Sequence, residues 1–211
     1  MNKEKRIKIL ERIQENSLFQ KREIEFKSDF ELLISLILSV RARDSVVNRV
    51  SKKLYRKAND AKKFLQIGEK KVKKYIKEIG MFNIKSKRIM KCCKIIIEKY
   101  NGEVPGSRYS LESIPGVGRK ISNIILNVIF GKPTIAVDTH VFRVCNRTNF
   151  AFSKSVKETE KKLNRLVPKR FKKNFHESIL YHGKKICKSR SPKCKTCVIS
   201  DLCEFKSKLL T

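Results

Sequence analysis

Residues 110–131, SLESIPGVGRKISNIILNVIFG, decide how this chain is read. A short apolar segment with Leu111 and Ile114 is stopped by Pro115, because the residue before a proline is pushed out of the helical region. Gly116-Val117-Gly118 follows, a turn with two residues free to take positive φ and no Cβ to hold a partner away. Ile121, Ile124, Ile125, Val128 and Ile129 then recur at i, i+3, i+4, i+7 and i+8, the apolar face of a second helix. Gly131 and Pro133 end it. The hairpin directs backbone N–H groups toward a helix N-terminus, a place for an anion. Lys120 falls in the first turn of that helix, where a cation opposes the dipole. Such a lysine is either a phosphate clamp or a reagent.

Charge narrows the partner class. The 211 residues carry Lys+Arg 51 against Asp+Glu 20, a formal net charge of +31. A chain so basic is expected to bind polyanions, nucleic acid first, although a lysine- and isoleucine-rich composition would arise in any AT-biased genome. The N-terminal MNKEKRIKIL has no apolar signal core, and the longest apolar stretch, residues 32–40, is too short to span a bilayer. Seven cysteines, an odd number, suit a reducing compartment better than a disulfide frame. The expectation is a soluble intracellular protein.

Helical periodicity runs through most of the chain and no alternating strand pattern stands out, so the fold class expected is all-α with about ten helices. Ile7, Leu10 and Ile13 give an N-terminal helix ending near Asn16. Ser28-Asp29-Phe30-Glu31 has the capping-box form and opens an apolar, buried helix to Val40. Asp44 is the expected cap of the next. Asp60 starts a short helix ended by Gly68, and the following one closes at Gly80 as a left-handed cap. Met81 and Phe82 lie in a turn before a long helix with Ile89, Cys93, Ile96 and Tyr100. Beyond the hairpin, helices are expected at about 139–147, 156–167 and 172–187.

Two sets of residues carry chemistry. Asp138, in Thr134-Ile135-Ala136-Val137-Asp138-Thr139-His140, is read from the residues alone as an N-cap; the functional alternative is a carboxylate working with Lys120. Cys187, Cys194, Cys197 and Cys203 have the spacing C-x6-C-x2-C-x5-C. Zinc ribbons usually join two separated C-x2-C hooks, so one such pair with longer arms favours a 4Fe–4S cluster, with zinc the other possibility. Lys188, Arg190, Lys193 and Lys195 lie inside this frame as a phosphate-binding edge or a solvated loop. Cys92, Cys93 and Cys145 read as packing residues. His140 is near the Asp138 site, while His176 and His182 read as structural.

Together, LESIPGVGRK, AVDTHVFRVCNRT and the cysteine tail resemble the endonuclease III family of helix-hairpin-helix DNA glycosylases, and the likeness runs essentially end to end. The resemblance implies two all-α lobes around a DNA-binding cleft. One is a six-helix barrel over residues 22–132. The other joins residues 1–21 to 133–211 and carries the 4Fe–4S cluster on Cys187, Cys194, Cys197 and Cys203. It implies removal of oxidised pyrimidines and cleavage of the abasic site by a monomer, in the bacterial cytoplasm at the nucleoid. The partner is double-stranded DNA with oxidised pyrimidines or abasic sites, with no membrane involved.

The family's catalytic lysine falls on Lys120 and its aspartate on Asp138. Attack needs a neutral amine, which burial and the positive helix end would favour. Gly116, Val117, Gly118 and Arg119 are the implied phosphate-binding hairpin. Two positions depart from the family pattern. Arg41 and Arg43 stand where the family has Gln and Thr, and that Gln fills the gap left by the flipped base. Met81 stands where a leucine wedge is common, and its flexible apolar side chain suits the same role. Lys120 also separates this chain from adenine glycosylases, which generally lack a lysine there. A non-catalytic helix-hairpin-helix DNA-binding module is the other reading of the same motifs.

Overall fold

The computed structural model describes residues 1–17 and 22–206. Among them are ten α-helices and no strand: α1 (Lys3–Glu15), α2 (Asp29–Ser39), α3 (Asp44–Tyr55), α4 (Ala61–Ile76), α5 (Phe82–Tyr100), α6 (Arg108–Glu112), α7 (Arg119–Val128), α8 (Thr139–Arg147), α9 (Val156–Leu166) and α10 (Lys169–Lys185), with a single 3-10 turn at Cys194–Thr196. None of these helices is long and apolar enough to cross a membrane. The chain divides into two compact units, residues 22–130 and residues 1–21 with 131–211. The expected crossing after residue 21 lies partly outside the described residues. The return crossing comes after Phe130, two residues before the position expected.

In the unit formed by residues 22–130, α2 is the central element. Leu32, Leu33, Ile34, Leu36, Ile37 and Leu38 are all buried, so the helix has no solvent face, and α3, α5 and α7 pack around it. Its start matches the capping box in part. Ser28 Oγ accepts the Glu31 N–H at 3.2 Å, but the Glu31 carboxylate takes the Lys27 N–H at 2.6 Å rather than that of Ser28. One buried polar group is satisfied along the helix: the Tyr55 hydroxyl donates to the Glu31 carbonyl at 2.9 Å. Burial raises its pKa above the usual phenol value, so it stays protonated.

The other unit has its own core, in which Ile9, Leu10 and Ile13 of α1 meet Val141 and Val144 of α8 and Phe171 and Phe175 of α10. The first helix is tied to the C-terminal segment through Arg12–Asp201 at 2.6 Å and Lys5–Glu204 at 3.1 Å. Both pairs lie at the surface, where solvent screening keeps ion pairs weak; the buried isoleucines and leucine do most of the holding. A Cβ added to Gly183 would stand 3.0 Å from that of His140, so glycine is what lets α10 lie this close to α8.

Several expected boundaries move. Gly68 keeps its expected place, ending the first segment of α4 with φ 76 and ψ 163, and the helix resumes beyond it. Gly80 is not the left-handed residue; the conformation falls on Met81, φ 61, which starts α5. A reversal there needs one positive-φ residue, and glycine's permissiveness made the neighbour look like the candidate. Arg43, without a side-chain cap, precedes α3, and Asp44 is its first residue rather than its cap. Helix α10 begins at Lys169 directly after Pro168, three residues earlier than its apolar pattern suggested.

Candidate functional site

The hairpin is α6, the turn 114–118 and α7. Polar contacts brace its helices: Ser122 Oγ donates to Glu112 Oε1 at 2.7 Å, and Arg108 donates to Asn123 Oδ1 at 2.7 Å. Of the two turn glycines only Gly116 takes positive φ, at 95, and a Cβ there would meet Ile37 Cγ2 at 3.2 Å. Gly118 is extended, φ −101, and a Cβ on it would find nothing within 4 Å. The turn therefore has one glycine for its own geometry and one whose bareness serves something approaching from outside. Val117 contributes less than expected: its side chain is buried and its N–H is committed to the Ile114 carbonyl at 3.0 Å. No side chain caps the start of α7.

Arg119 and Lys120 follow in the first turn of α7, both exposed. Exposure corrects the expectation that the protein itself buries the Lys120 amine. Asp138 is half-buried and caps α8, its Oδ1 accepting the N–H groups of His140 and Val141, each at 2.9 Å. The cap reading of the sequence is therefore an observed role. It occupies one carboxylate oxygen and leaves the residue's chemistry a separate matter. Nearby, Arg143 donates to His140 Nδ1 at 3.2 Å, so that nitrogen carries a lone pair. Burial, and beyond it Arg143 and Lys184, push the His140 pKa down against the opposing pull of Asp138, so the ring is a neutral hydrogen-bonding group.

Arg41 and Met81 are both exposed, Met81 at 42%. Both are in the left-handed conformation, φ 53 and φ 61, and an ideal Cβ on Gly80 would lie 3.9 Å from the Arg41 carbonyl oxygen. Below them sits a residue that sequence reasoning passed over. Lys85 of α5 is 2% exposed and sends its Nζ to the carbonyls of Leu38 at 2.7 Å and Val40 at 2.6 Å. A signal was present: Ile89, Cys92, Cys93 and Ile96 stand at i+4, i+7, i+8 and i+11 from Lys85, which puts this lysine on the apolar face.

Cys187, Cys194, Cys197 and Cys203 line one cavity, partly open to solvent. Among the described residues no three His, Cys, Asp or Glu side chains form a group that could hold a single metal ion. Donors surround the thiols. Arg147 reaches Cys187 Sγ at 3.7 Å and the carbonyls of Lys188 and Ser189 at 2.5 and 2.8 Å, while its guanidinium lies 4.8 Å over the Phe205 ring. His182 is buried, with Nε2 3.8 Å from Cys197 Sγ and Nδ1 without a hydrogen-bond partner among the described residues. His182 thus belongs to the cysteine site and is not merely a packing residue. Lys193 and Lys195 are exposed on the same loop, and Cys92, Cys93 and Cys145 are buried in packing positions as expected.

Residues 34–169 match the model of the HhH-GPD superfamily base excision DNA repair proteins. Over 209 residues the chain is 50% identical to endonuclease III of Escherichia coli (strain K12), covering 99% of both chains. It is 52% identical over 209 residues to endonuclease III of Buchnera aphidicola subsp. Acyrthosiphon pisum (strain APS), covering 99% of this chain and 100% of that one. Its structure is similar to that of a trapped endonuclease III–DNA covalent intermediate, an estranged-adenine complex, with TM-score 0.92, 35% identity and 100% of each chain covered.

Proposed function

This chain belongs to the endonuclease III family of the HhH-GPD superfamily, and from that membership we infer how its residues carry out the work of a DNA glycosylase and abasic-site lyase in base excision repair. The protein binds DNA, and the proposed substrate is a duplex carrying an oxidised pyrimidine or an abasic site, engaged by one copy of the chain in a reducing, nucleoid-associated compartment. Lys120 is the proposed nucleophile and Asp138 its acid–base partner.

The observation that carries this reading is an exposed primary amine in the first turn of α7, two residues after a glycine with open space around it. A phosphate can approach the backbone at Gly118, with Arg119 beside it, while the Lys120 amine addresses the sugar of a nucleotide swung out of the stack. The Nζ lone pair bonds to C1′ as the glycosidic bond breaks and its electrons leave with the base, which takes up a proton. Ring opening gives a Schiff base. Loss of the C2′ proton then drives electrons toward the iminium, and the 3′ phosphate departs by β-elimination. Asp138 accepts the proton released by the attacking amine and stabilises the cationic sugar. Arg41 fills the space left in the duplex and Met81 wedges the neighbouring step.

The four thiols around one cavity suit a 4Fe–4S cluster, with one thiolate to each iron. Arg147 and His182 stand where N–H donors would offset the negative charge of the bound thiolates. Cys187, Cys194, Cys197 and Cys203 would hold the group, and its binding would fix the loop that carries Lys193 and Lys195, a structural service apart from base removal.

Borohydride reduction during turnover tests the nucleophile. Wild-type protein becomes covalently attached to a thymine-glycol duplex and to an abasic duplex; Lys120→Ala attaches to neither. A variant that traps as well as wild type would remove Lys120 from its role, and trapping on the abasic duplex alone would remove the oxidised-pyrimidine substrate.

A further inference from the structure

Helix α2 ends at Ser39, and its last carbonyls have no intrahelical donor. The Ala42 N–H donates to the Ser39 carbonyl at 3.0 Å, closing a four-residue turn over Ser39-Val40-Arg41-Ala42. Val40 has φ −57 and ψ 116, and Arg41 has φ 53. These are the angles of a type II turn, whose third position normally calls for glycine. An arginine there is strained, and such strain persists only where the surroundings over-determine it.

Lys85 provides that restraint. Its Nζ bonds the carbonyls of Leu38 and Val40, one in the last turn of the helix and one inside the turn itself. The same residue's backbone N–H donates to the Met81 carbonyl at 3.0 Å. One residue therefore joins, by its main chain, the left-handed residue that opens α5 and, by its side chain, the left-handed turn that ends α2.

Lys85 is 2% exposed, its ammonium donates to two carbonyls, and its charged neighbour, Arg88, has the same sign. A buried cation with no counter-ion among the described residues is a poor way to stabilise a core, and an apolar side chain of similar length would serve packing better. The arrangement makes physical sense where the geometry of the turn matters more than the stability of the core.

We propose that Lys85 is a positioning residue for nucleotide extrusion: a clamp between α5 and the end of α2 that sets Arg41 and Met81 as one rigid pair of duplex probes. This rests on the reading of Arg41 and Met81 as the residues that enter the duplex. Without the clamp the turn relaxes, Arg41 leaves the left-handed region, and the two probes no longer enter together.

The test uses a duplex with a thymine glycol and an adjacent 2-aminopurine, whose fluorescence rises when it unstacks. Lys85→Met, Arg41→Ala and Met81→Ala are compared with wild type. For Lys85→Met the fluorescence rise and the single-turnover base-removal rate fall by roughly 10- to 100-fold, the effect of a misplacement of about 1 Å. Cleavage of a preformed abasic site in a single strand, which needs no extrusion, stays at the wild-type rate. Loss of both reactions together would mark a merely structural role and overturn the proposal. Should Lys85→Met fail to fold, the polar Lys85→Gln carries the same measurements. A normal fluorescence rise in the Lys85 variant beside a reduced one in Arg41→Ala defeats the clamp and leaves the probe reading standing. Unchanged signals in both Arg41→Ala and Met81→Ala defeat the probe reading itself.

Discussion

Asp138 Oδ1 accepts the backbone N–H of Val141 at 2.9 Å, closing the first turn of α8. The residue proposed as acid–base partner is thus also a helix cap, and its two duties are separable by substitution. Asp138→Asn keeps an oxygen that accepts the same N–H groups, whereas Asp138→Ala does not. The Asn variant is expected to unfold at the wild-type denaturant midpoint while single-turnover base removal falls by about 10²- to 10⁴-fold. The Ala variant loses the same activity and about 1 kcal/mol of stability as well. An Asn variant with normal turnover would reduce Asp138 to its capping role.

The two hairpin glycines predict opposite phenotypes. Gly116 holds φ 95 with Ile37 Cγ2 3.2 Å from the position of a Cβ, whereas Gly118 is extended with open space around it. Gly116→Ala should therefore destabilise the fold by about 1–3 kcal/mol, combining the left-handed penalty with a core clash. Gly118→Ala should leave the urea midpoint unchanged and weaken DNA binding, because the added methyl stands where a phosphate approaches. Equal affinity for wild type and Gly118→Ala in a binding titration would move the phosphate contact elsewhere.

How much of this was readable in advance depended on the kind of information each residue carries. The apolar run of α2, the hairpin and the Asp138 cap follow from local rules, since periodicity, proline and cap residues act within one or two turns. Positive φ was harder to assign. Glycine marks where it is cheap, but the fold placed it on Arg41 and Met81, where tertiary bonds hold what local preference disfavours. Lys85 was hidden because one lysine among many looks solvated, and only its register beside Ile89, Cys92 and Cys93 set it apart. Exposure of Lys120 could not be read from the hairpin either, because burial is a property of neighbours distant in sequence. The cysteine spacing pointed to a shared site, but Arg147 and His182 come from α8 and α10, whose approach to the loop no spacing rule encodes.

The loop within the cysteine frame makes a salt-dependence prediction. Lys193 and Lys195 are exposed there, a position suited to phosphate contacts but equally to plain solvation. The affinity for a duplex should fall with salt at a slope of about −0.9 per phosphate neutralised. Lys193→Gln and Lys195→Gln should each reduce the magnitude of that slope by about 1 if the residue meets a phosphate. The trapping yield at saturating protein should not change, because neither residue touches the reacting sugar. A slope equal to that of wild type assigns the lysine to solvent.

Lys85 gives the clearest pH signature. Burial, followed by the like charge of Arg88, pushes its ammonium down to about 8 from the ordinary 10.5. Below pH 8 the folded and unfolded chains both hold the proton, and this group adds no slope. Between pH 8 and 10.5 the unfolded chain retains a proton that the folded chain has lost, so this group's contribution to stability rises with pH and is complete above 10.5. The direction fits the geometry, because a neutral amine has two N–H groups and the site offers two carbonyls. Urea midpoints of wild type and Lys85→Met, measured from pH 7 to 10.5, should diverge in favour of wild type above pH 8. A constant difference across that range would mean that the folded chain does not disfavour the charged amine. The two carbonyls would then hold an ammonium at no penalty.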